Sequence, residues 1–468
     1  MPSADVLVPL CRSIVGAHPL PFVAAVLDPP EGYERPQLAL DVLAVVPALS
    51  AAYPVLFSKI VDGRSHTPRL GRIDSFRPVE ATHALVGGRS LDDAFLEAMA
   101  IPVDVLGSAP LWRVFYGWLG SGECLVGILA HHSFADGAAV LEFSRTLVEL
   151  LTTAGKKDAP SLANVQPPSS ASSSTDFHPP IEDLIDVRPS SLSLVGVMYR
   201  ELLLPRLPSF VRAVLPSPPT KWAGAPPSVA PYPRERCHRT LAVSPERVAS
   251  LLTACRKNGI SLTSLLHGAI AVALRPETAG LPFESTTNVN ARRLFTTEQA
   301  AGIPFGTGTY VGVVYATSPA TAPTGADEVD ALWAEARTHY ATMRRPTAFA
   351  NSVKVWGMLA YVPDQPAPNG WEEFFRSKLL GAKSEAFELS NLGSTTFACS
   401  TTREGAGPTG WVLKRAIFSQ PPQPTSPVGL FSVLSSEVGM EIAVGWEAGI
   451  AEVDRVLDRL EQALATVA

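Results

Sequence analysis

Apolar residues recur along this chain with two periods, and the switches between them mark its elements. Residues 38–52 carry apolar side chains at helical spacing, which predicts a helix kinked at Pro47 and closed by Tyr53-Pro54. Proline cannot continue a helix and disfavours it at the preceding residue. Residues 55–60 then read as a short strand, and Leu91–Met99 as a second helix. Residues 111–119 are strand-like and rich in aromatics, Gly120-Ser121-Gly122 makes a turn, and Cys124–Ala130 returns as the other arm of a hairpin. An apolar-periodic stretch beyond Gly137 predicts a further helix.

The second half mixes strands and helices in the same way. Residues 237–243 are strand-like, and Ser244-Pro245-Glu246 starts a helix with serine as N-cap and proline in the first turn. That helix runs to Lys257 and ends at Gly259, and Ser261 opens another through Leu274. Residues 286–290 and 309–316 read as strands, and 327–344 as an amphipathic helix. Residues 411–418, 429–435 and 440–446 predict a three-strand meander, and 451–465 a closing amphipathic helix. Strands and helices do not strictly alternate. The expected class is therefore α+β, an α/β sandwich rather than a doubly wound sheet.

Between the halves the composition shifts. Residues 169–175 are almost all serine with prolines on both sides, so residues 152–180 are expected to form a mobile loop. Residues 184–215 recover helical character, and 216–233 are proline-rich and extended. The predicted division is an N-terminal domain over residues 1–215, a crossover over 216–235 and a C-terminal domain over 236–468.

Composition narrows the partners. Hydrophobic residues are 46% of the 468 and charged residues 18%, enough for a large core split over more than one domain. A net charge of −6 argues against nucleic acid, and no run of lysine and arginine suits an acidic membrane. The richest apolar stretch, residues 38–57, carries Asp41, Pro47 and Pro54, so no transmembrane span is expected. The N-terminus lacks a basic start followed by an apolar block. The five cysteines (Cys11, Cys124, Cys237, Cys255 and Cys399) are scattered and never form CxxC, which suggests free thiols in a reducing compartment. A cytoplasmic monomer is the expectation.

The chemistry concentrates in His131-His132-Ser133-Phe134-Ala135-Asp136-Gly137, an HHxxxDG heptad between a buried strand and a helix. Such a place holds an imidazole rigid and partly shielded from water, as a general base requires. Two other readings exist. HHxxxD could supply metal ligands, but no HExxH or CxxC accompanies it. A nucleophilic triad lacks a GxSxG elbow. His83, His178, His238 and His339 read as ordinary surface or core histidines, and His267 as core or interface.

In this context HHSFADG resembles the motif of the chloramphenicol-acetyltransferase-like superfamily of CoA-dependent acyltransferases. Other landmarks follow in order: Pro54-Val55-Leu56, Pro110-Leu111-Trp112-Arg113, Gly259-Ile260-Ser261-Leu262-Thr263, Asn288-Val289-Asn290-Ala291-Arg292-Arg293, Ser390-Asn391-Leu392-Gly393 and Phe418-Ser419-Gln420. The DFGWG motif of plant BAHD enzymes is missing; residues 405–410 read GAGPTG. The chain therefore looks most like the fungal alcohol O-acetyltransferases.

The resemblance implies two similar domains of mixed sheet and helices with a tunnel between them. Acyl-CoA, acetyl-CoA in the first instance, is the expected co-substrate, and a small hydroxyl-bearing acceptor enters opposite it, with no metal involved. It assigns His132 as the base beside His131; adjacent side chains on an extended strand face opposite ways, so only one can point into the tunnel. It turns Asp136 away from the base to pair with Arg292, or failing that Arg293, rather than polarising His132. Gly137 is expected to allow a tight turn into the next helix. Ser390, Asn391 and Gly393 are expected to line the tunnel or else to make strand-end hydrogen bonds, and Arg376, Lys378 and Lys383 are candidates by position only for the CoA phosphates, a solvated surface being the other reading for each. Three other functions share the motif or the fold: wax ester or diacylglycerol synthesis, condensation with a carrier-protein donor, and non-catalytic binding.

Overall fold

Every residue of Cys124–Ala130 is buried, and so are six of the seven in Phe22–Asp28, because these two strands lie side by side in the middle of a sheet. A strand covered on both faces has no polar face to show, so it reads as a continuous apolar run. Lacking alternation, Phe22–Asp28 carried no strand signal in the sequence reading. The computed structural model describes residues 20–62, 69–153, 163–168, 178–199, 203–212, 220–225, 235–303, 307–321, 327–358, 383–402, 404 and 410–467.

The strands are β1 (Phe22–Asp28), β2 (Ser58–Val61), β3 (Arg69–Arg72), β4 (Thr82–Ala84), β5 (Trp112–Trp118), β6 (Cys124–Ala130), β7 (Arg236–Val243), β8 (Phe283–Asn290), β9 (Val311–Ser318), β10 (Phe387–Ser394), β11 (Val412–Ser419), β12 (Gly429–Ser436) and β13 (Gly439–Glu447). One sheet has the order β11-β1-β6-β5-β4, a second the order β7-β13-β12-β10-β8-β9, and β2 and β3 form a ribbon. Both large sheets mix parallel and antiparallel neighbours: β4 runs parallel to β5, and β10 parallel to β8 and β12. The fold is a mixed α/β architecture built on two sheets.

The longer helices are α1 (Arg35–Ala52), α2 (Leu91–Met99), α3 (Gly137–Thr153), α4 (Pro245–Asn258), α5 (Leu262–Leu274), α6 (Glu328–Arg344) and α7 (Val453–Thr466). Local chemistry sets their ends. The Ser90, Ser244 and Ser261 hydroxyls each accept the backbone N–H three residues on, and Gly259 closes α4 at φ +65°. Pro47 lies inside α1. Where a strand was expected from residue 55, the chain makes a 3-10 turn at Pro54–Phe57 before entering β2. Pro54 presets a helical φ there, and Trp112 Nε1 donates to the Leu56 carbonyl at 2.7 Å.

The three-strand meander is corrected. β12 and β13 pair as a hairpin, but β11 pairs with β1 at the edge of the other sheet. Strand propensity cannot decide which sheet a strand joins; here burial of Ala416, Ile417 and Phe418 in the first core does. Leu434 of β12 and Ala443 of β13 reach the same core, so the second sheet turns one face toward the first. Arg415 on β11 holds Glu441 on β13 through bonds of 2.7 and 2.6 Å. Helices α5, α6 and α7 pack on the opposite face of the second sheet.

Of the expected loop over 152–180, residues 152–153, 163–168 and 178–180 are described, and 152–153 instead complete the last turn of α3. Phe76 and Val165 exchange backbone bonds of 3.1 and 2.8 Å. The serine run lies outside the described residues, as do Arg376 and Lys378. Among the described residues no helix is long and apolar enough to cross a membrane, and no group of metal-ligating side chains occurs.

Candidate active site

β6 delivers the two histidines. The His131 N–H donates to the Leu111 carbonyl at 2.8 Å, and the chain turns through residues 132–134 before α3 begins. His131 is wholly buried. Its Nδ1 accepts the Ser133 N–H at 3.3 Å and lies 2.8 Å from Ser133 Oγ. An amide donor there makes Nδ1 an acceptor and places the ring proton on Nε2. His132 is partly exposed. Its carbonyl accepts the Thr309 hydroxyl at 2.7 Å.

Asp136 is buried, and its carboxylate is a junction. Oδ1 accepts the Ala139 N–H at 3.0 Å, which makes Asp136 the N-cap of α3. Arg292 approaches as a fork, 2.7 Å to Oδ2 and 3.2 Å to Oδ1, and the Tyr310 N–H donates to Oδ2 at 2.9 Å. These donors match the four acceptor sites of an ionised carboxylate. Burial alone would raise the carboxyl pKa; the Arg292 charge and the hydrogen bonds outweigh it and hold the group below the ordinary carboxylate range.

The other anchor is the segment 307–310. Arg292 also donates to the carbonyls of Thr307 and Gly308 at 3.1 and 3.0 Å, and its guanidinium stacks 4.9 Å from the Tyr310 ring. The Asp136 N–H reaches the Gly308 carbonyl at 3.1 Å. His178 packs here: its Nε2 lies 2.5 Å from Thr307 Oγ1, and Tyr310 Oη donates to the Pro179 carbonyl at 2.7 Å. Burial, with the Arg292 charge nearby, pushes the His178 pKa down to about 4.

Sequence reasoning missed Thr307, Gly308, Thr309 and Tyr310. The available signal was Thr-Gly-Thr directly before a strand. Gly308 has φ +96°, and a Cβ there would stand 2.7 Å from the Tyr310 ring. Gly308→Ala is expected to lose stability by about 1–3 kcal/mol from backbone strain alone, read as a drop in Tm. An unchanged Tm would show that the segment does not brace the motif.

Gly137 sits in the first turn of α3 and is absent from the positive-φ residues, so conformational freedom is not its reason. Close approach is: a Cβ would lie 2.9 Å from Leu392 and 3.2 Å from Phe418. Of the three residues expected along the tunnel, Ser390 shares its strand face with Leu392 and so turns toward α3 and the first sheet. Asn391 turns the other way, donating to Thr263 Oγ1 at 3.2 Å, and accepts the Gly393 N–H at 2.8 Å. Gly393, at φ +85°, lies where the β10–β12 register slips.

Lys383 is not placed for a phosphate. It is buried against Glu447 at 3.1 Å and donates to the carbonyls of Gln423 and Ser426. Three further histidines are internal: His238 bridges Asp92 (2.8 Å) and Ser419 (3.1 Å), and His267 and His339 stack at 3.9 Å beneath the second sheet.

A cleft of about 560 Å³ opens beside the motif, between the start of α3 and the ends of β8 and β10. Arg292, Arg145, Asn290 and Leu392 are among its lining residues. The site thus combines a partly exposed histidine, its carbonyl held by Thr309, with a cleft that opens beside the Asp136–Arg292 junction.

Comparison with known proteins agrees with this architecture. The fold is similar to that of the trichothecene 15-O-acetyltransferase from Fusarium sporotrichioides, with TM-score 0.70 at 13% identity over 100% of this chain and 94% of that one. It is also similar to polyketide synthase associated protein 5 from Mycobacterium tuberculosis, with TM-score 0.57, 15% identity, and coverage of 100% and 98%. A third likeness is to the wax ester synthase/diacylglycerol acyltransferase from Marinobacter aquaeolei, with TM-score 0.53, 13% identity, and coverage of 96% and 93%. At these identities the likeness is one of fold. The family model described as alcohol acetyltransferase matches residues 93–465, so the chain belongs to the alcohol acetyltransferase family and is an acyltransferase.

Proposed function

We propose that this acyltransferase moves an acyl group from a CoA thioester to the hydroxyl of a small alcohol, with His132 as the general base. His132 takes the hydroxyl proton as the oxygen attacks the thioester carbonyl. The tetrahedral adduct collapses, the carbon–sulfur bond breaks, and the imidazolium returns its proton to the departing thiolate. Asp136 and Arg292 are positioning residues that brace the loop carrying the base.

One contrast between the histidines supports this reading. His132 is partly exposed while its own carbonyl is pinned by Thr309, whereas His131 is buried with Nδ1 engaged by Ser133. A base has to be both reachable and held still.

The test is thiol release from acetyl-CoA and longer acyl-CoA thioesters against a panel of alcohols and amines. Release that depends on a hydroxyl acceptor is expected. Release with amines alone would overturn O-acylation. Acylation from a carrier-protein thioester, with none from any CoA thioester, would overturn the donor.

A further inference from the structure

The inner face of the second sheet carries a polar row that the reaction above does not use. Ser285 and Thr287 of β8 send their hydroxyls into the helix layer, 2.8 Å from His267 and 3.0 Å from His339. Alternation along the strand turns Thr286, between them, to the opposite face, toward the first sheet. Thr286 is only 5% exposed, yet its Oγ1 has no partner among the described residues. A buried hydroxyl left without a bond calls for an explanation, and an absent ligand is one.

Its neighbours point to what that ligand is. Register sets Glu388 of β10 beside Thr286. Asn288, the next inner-facing residue of β8, donates to Glu388 Oε1 at 2.8 Å. Gln420, just beyond β11, donates to the same oxygen at 3.2 Å. Side chains from both sheets therefore converge on one carboxylate. The row leads to the cleft, because Asn290 and Leu392, further along the same two strand faces, line it.

The row also faces the motif end of the first sheet. Ser419 pairs with Phe22, and Phe22 with Leu129, two residues before His131. Gln420 thus emerges at the histidine end of the sheet, about 10 Å away by two strand spacings.

A carboxylate only accepts, and a threonine hydroxyl both donates and accepts. A substrate hydroxyl can give Thr286 Oγ1 its missing partner while donating to the carboxylate beside it. An alkyl chain leaves Thr286 Oγ1 buried and unbonded. We propose that Thr286 and Glu388 form an acceptor-recognition subsite, and that the acceptor is a polyhydroxylated alcohol. One of its hydroxyls meets His132 while a remote one bonds Thr286 and Glu388. This rests on the acyl-transfer reading above.

The test measures kcat/KM with acetyl-CoA for straight-chain primary alcohols and for the α,ω-diols of the same carbon count. The native enzyme is expected to favour the diol by about tenfold or more at one or more chain lengths, because a site built to bond a hydroxyl discriminates against its absence. Thr286→Val and Glu388→Gln are expected to bring that ratio toward one. Thr286→Val is nearly isosteric and removes a hydroxyl with no partner, so Tm is not expected to fall. Absence of diol preference at every length, or a ratio that survives both substitutions, overturns the subsite. A fall in Tm with equal losses for both acceptors overturns it as well, in favour of a structural threonine. His132→Ala separates the two readings: retained thiol release there defeats the base assignment, whereas lost release with an unmoved diol ratio in Thr286→Val defeats only the subsite.

Discussion

His132→Ala is expected to lower kcat for acyl transfer about 10²–10⁴-fold, the usual contribution of a well-placed base, without a comparable loss of stability. The structure explains why the two effects separate. The His132 carbonyl accepts the Thr309 hydroxyl, and alanine keeps that backbone bond. His131→Ala is the counterpart. It empties a wholly buried site and leaves the Ser133 N–H without its acceptor, so Tm is expected to fall together with activity. If His132→Ala kept its turnover, the base would lie elsewhere. If it unfolded, the ring would be a packing element. Both outcomes are read from thiol release beside a melting curve on the same preparation.

Asp136→Ala is expected to cost about 3–5 kcal/mol, the range for breaking a buried ion pair by removing one partner. It leaves Arg292 facing carbonyls without its carboxylate, takes the N-cap from α3 and strips the acceptor from the Tyr310 N–H. Loss of soluble protein at moderate temperature is the expected result. Arg292→Lys probes the same junction more gently. A lysine delivers a point charge rather than a fork, so part of the stability is expected to return relative to Arg292→Ala. A folded Asp136→Asn enzyme with only a displaced pH–rate profile would favour an electrostatic role on His132 instead.

The junction also sets a pH dependence. The folded Asp136 carboxyl lies below its ordinary value: burial opposes this, but the Arg292 charge and three further hydrogen-bond contributions exceed it. A depressed folded pKa contributes stability that is fully present above the unfolded value, near about 3.9, and is lost as pH falls through the folded value. Acid titration of the native protein should therefore remove stability that Asp136→Asn already lacks, and the two curves should converge below about pH 4.

Much of this was legible in the residues. Capping serines at Ser244 and Ser261 and the closing Gly259 marked two helices to within a residue or two, because caps are short-range chemistry. The HHxxxDG heptad stood out because paired imidazoles at the end of an apolar strand are a local pattern. Other features were hidden for physical reasons. β1 shows no alternation, since both its faces are covered by packing that the strand itself does not encode. Gly308 is one glycine among 34 until its φ and its contact with Tyr310 are known. Lys383 looked like a solvent cation because nothing near it in sequence announces Glu447, 64 residues away (447 − 383).

What the sequence determined by itself was the order and type of most elements, the landmarks of the family and the motif that carries the chemistry. All of these depend on neighbours a few residues apart. Only the tertiary structure decided which sheet β11 joins, which face of β10 carries Ser390 and which Asn391, and that a segment 170 residues beyond the motif clamps it (307 − 137). Those outcomes follow from burial and hydrogen-bond satisfaction summed over the whole chain. A partner far away in sequence becomes a neighbour only once the core has formed.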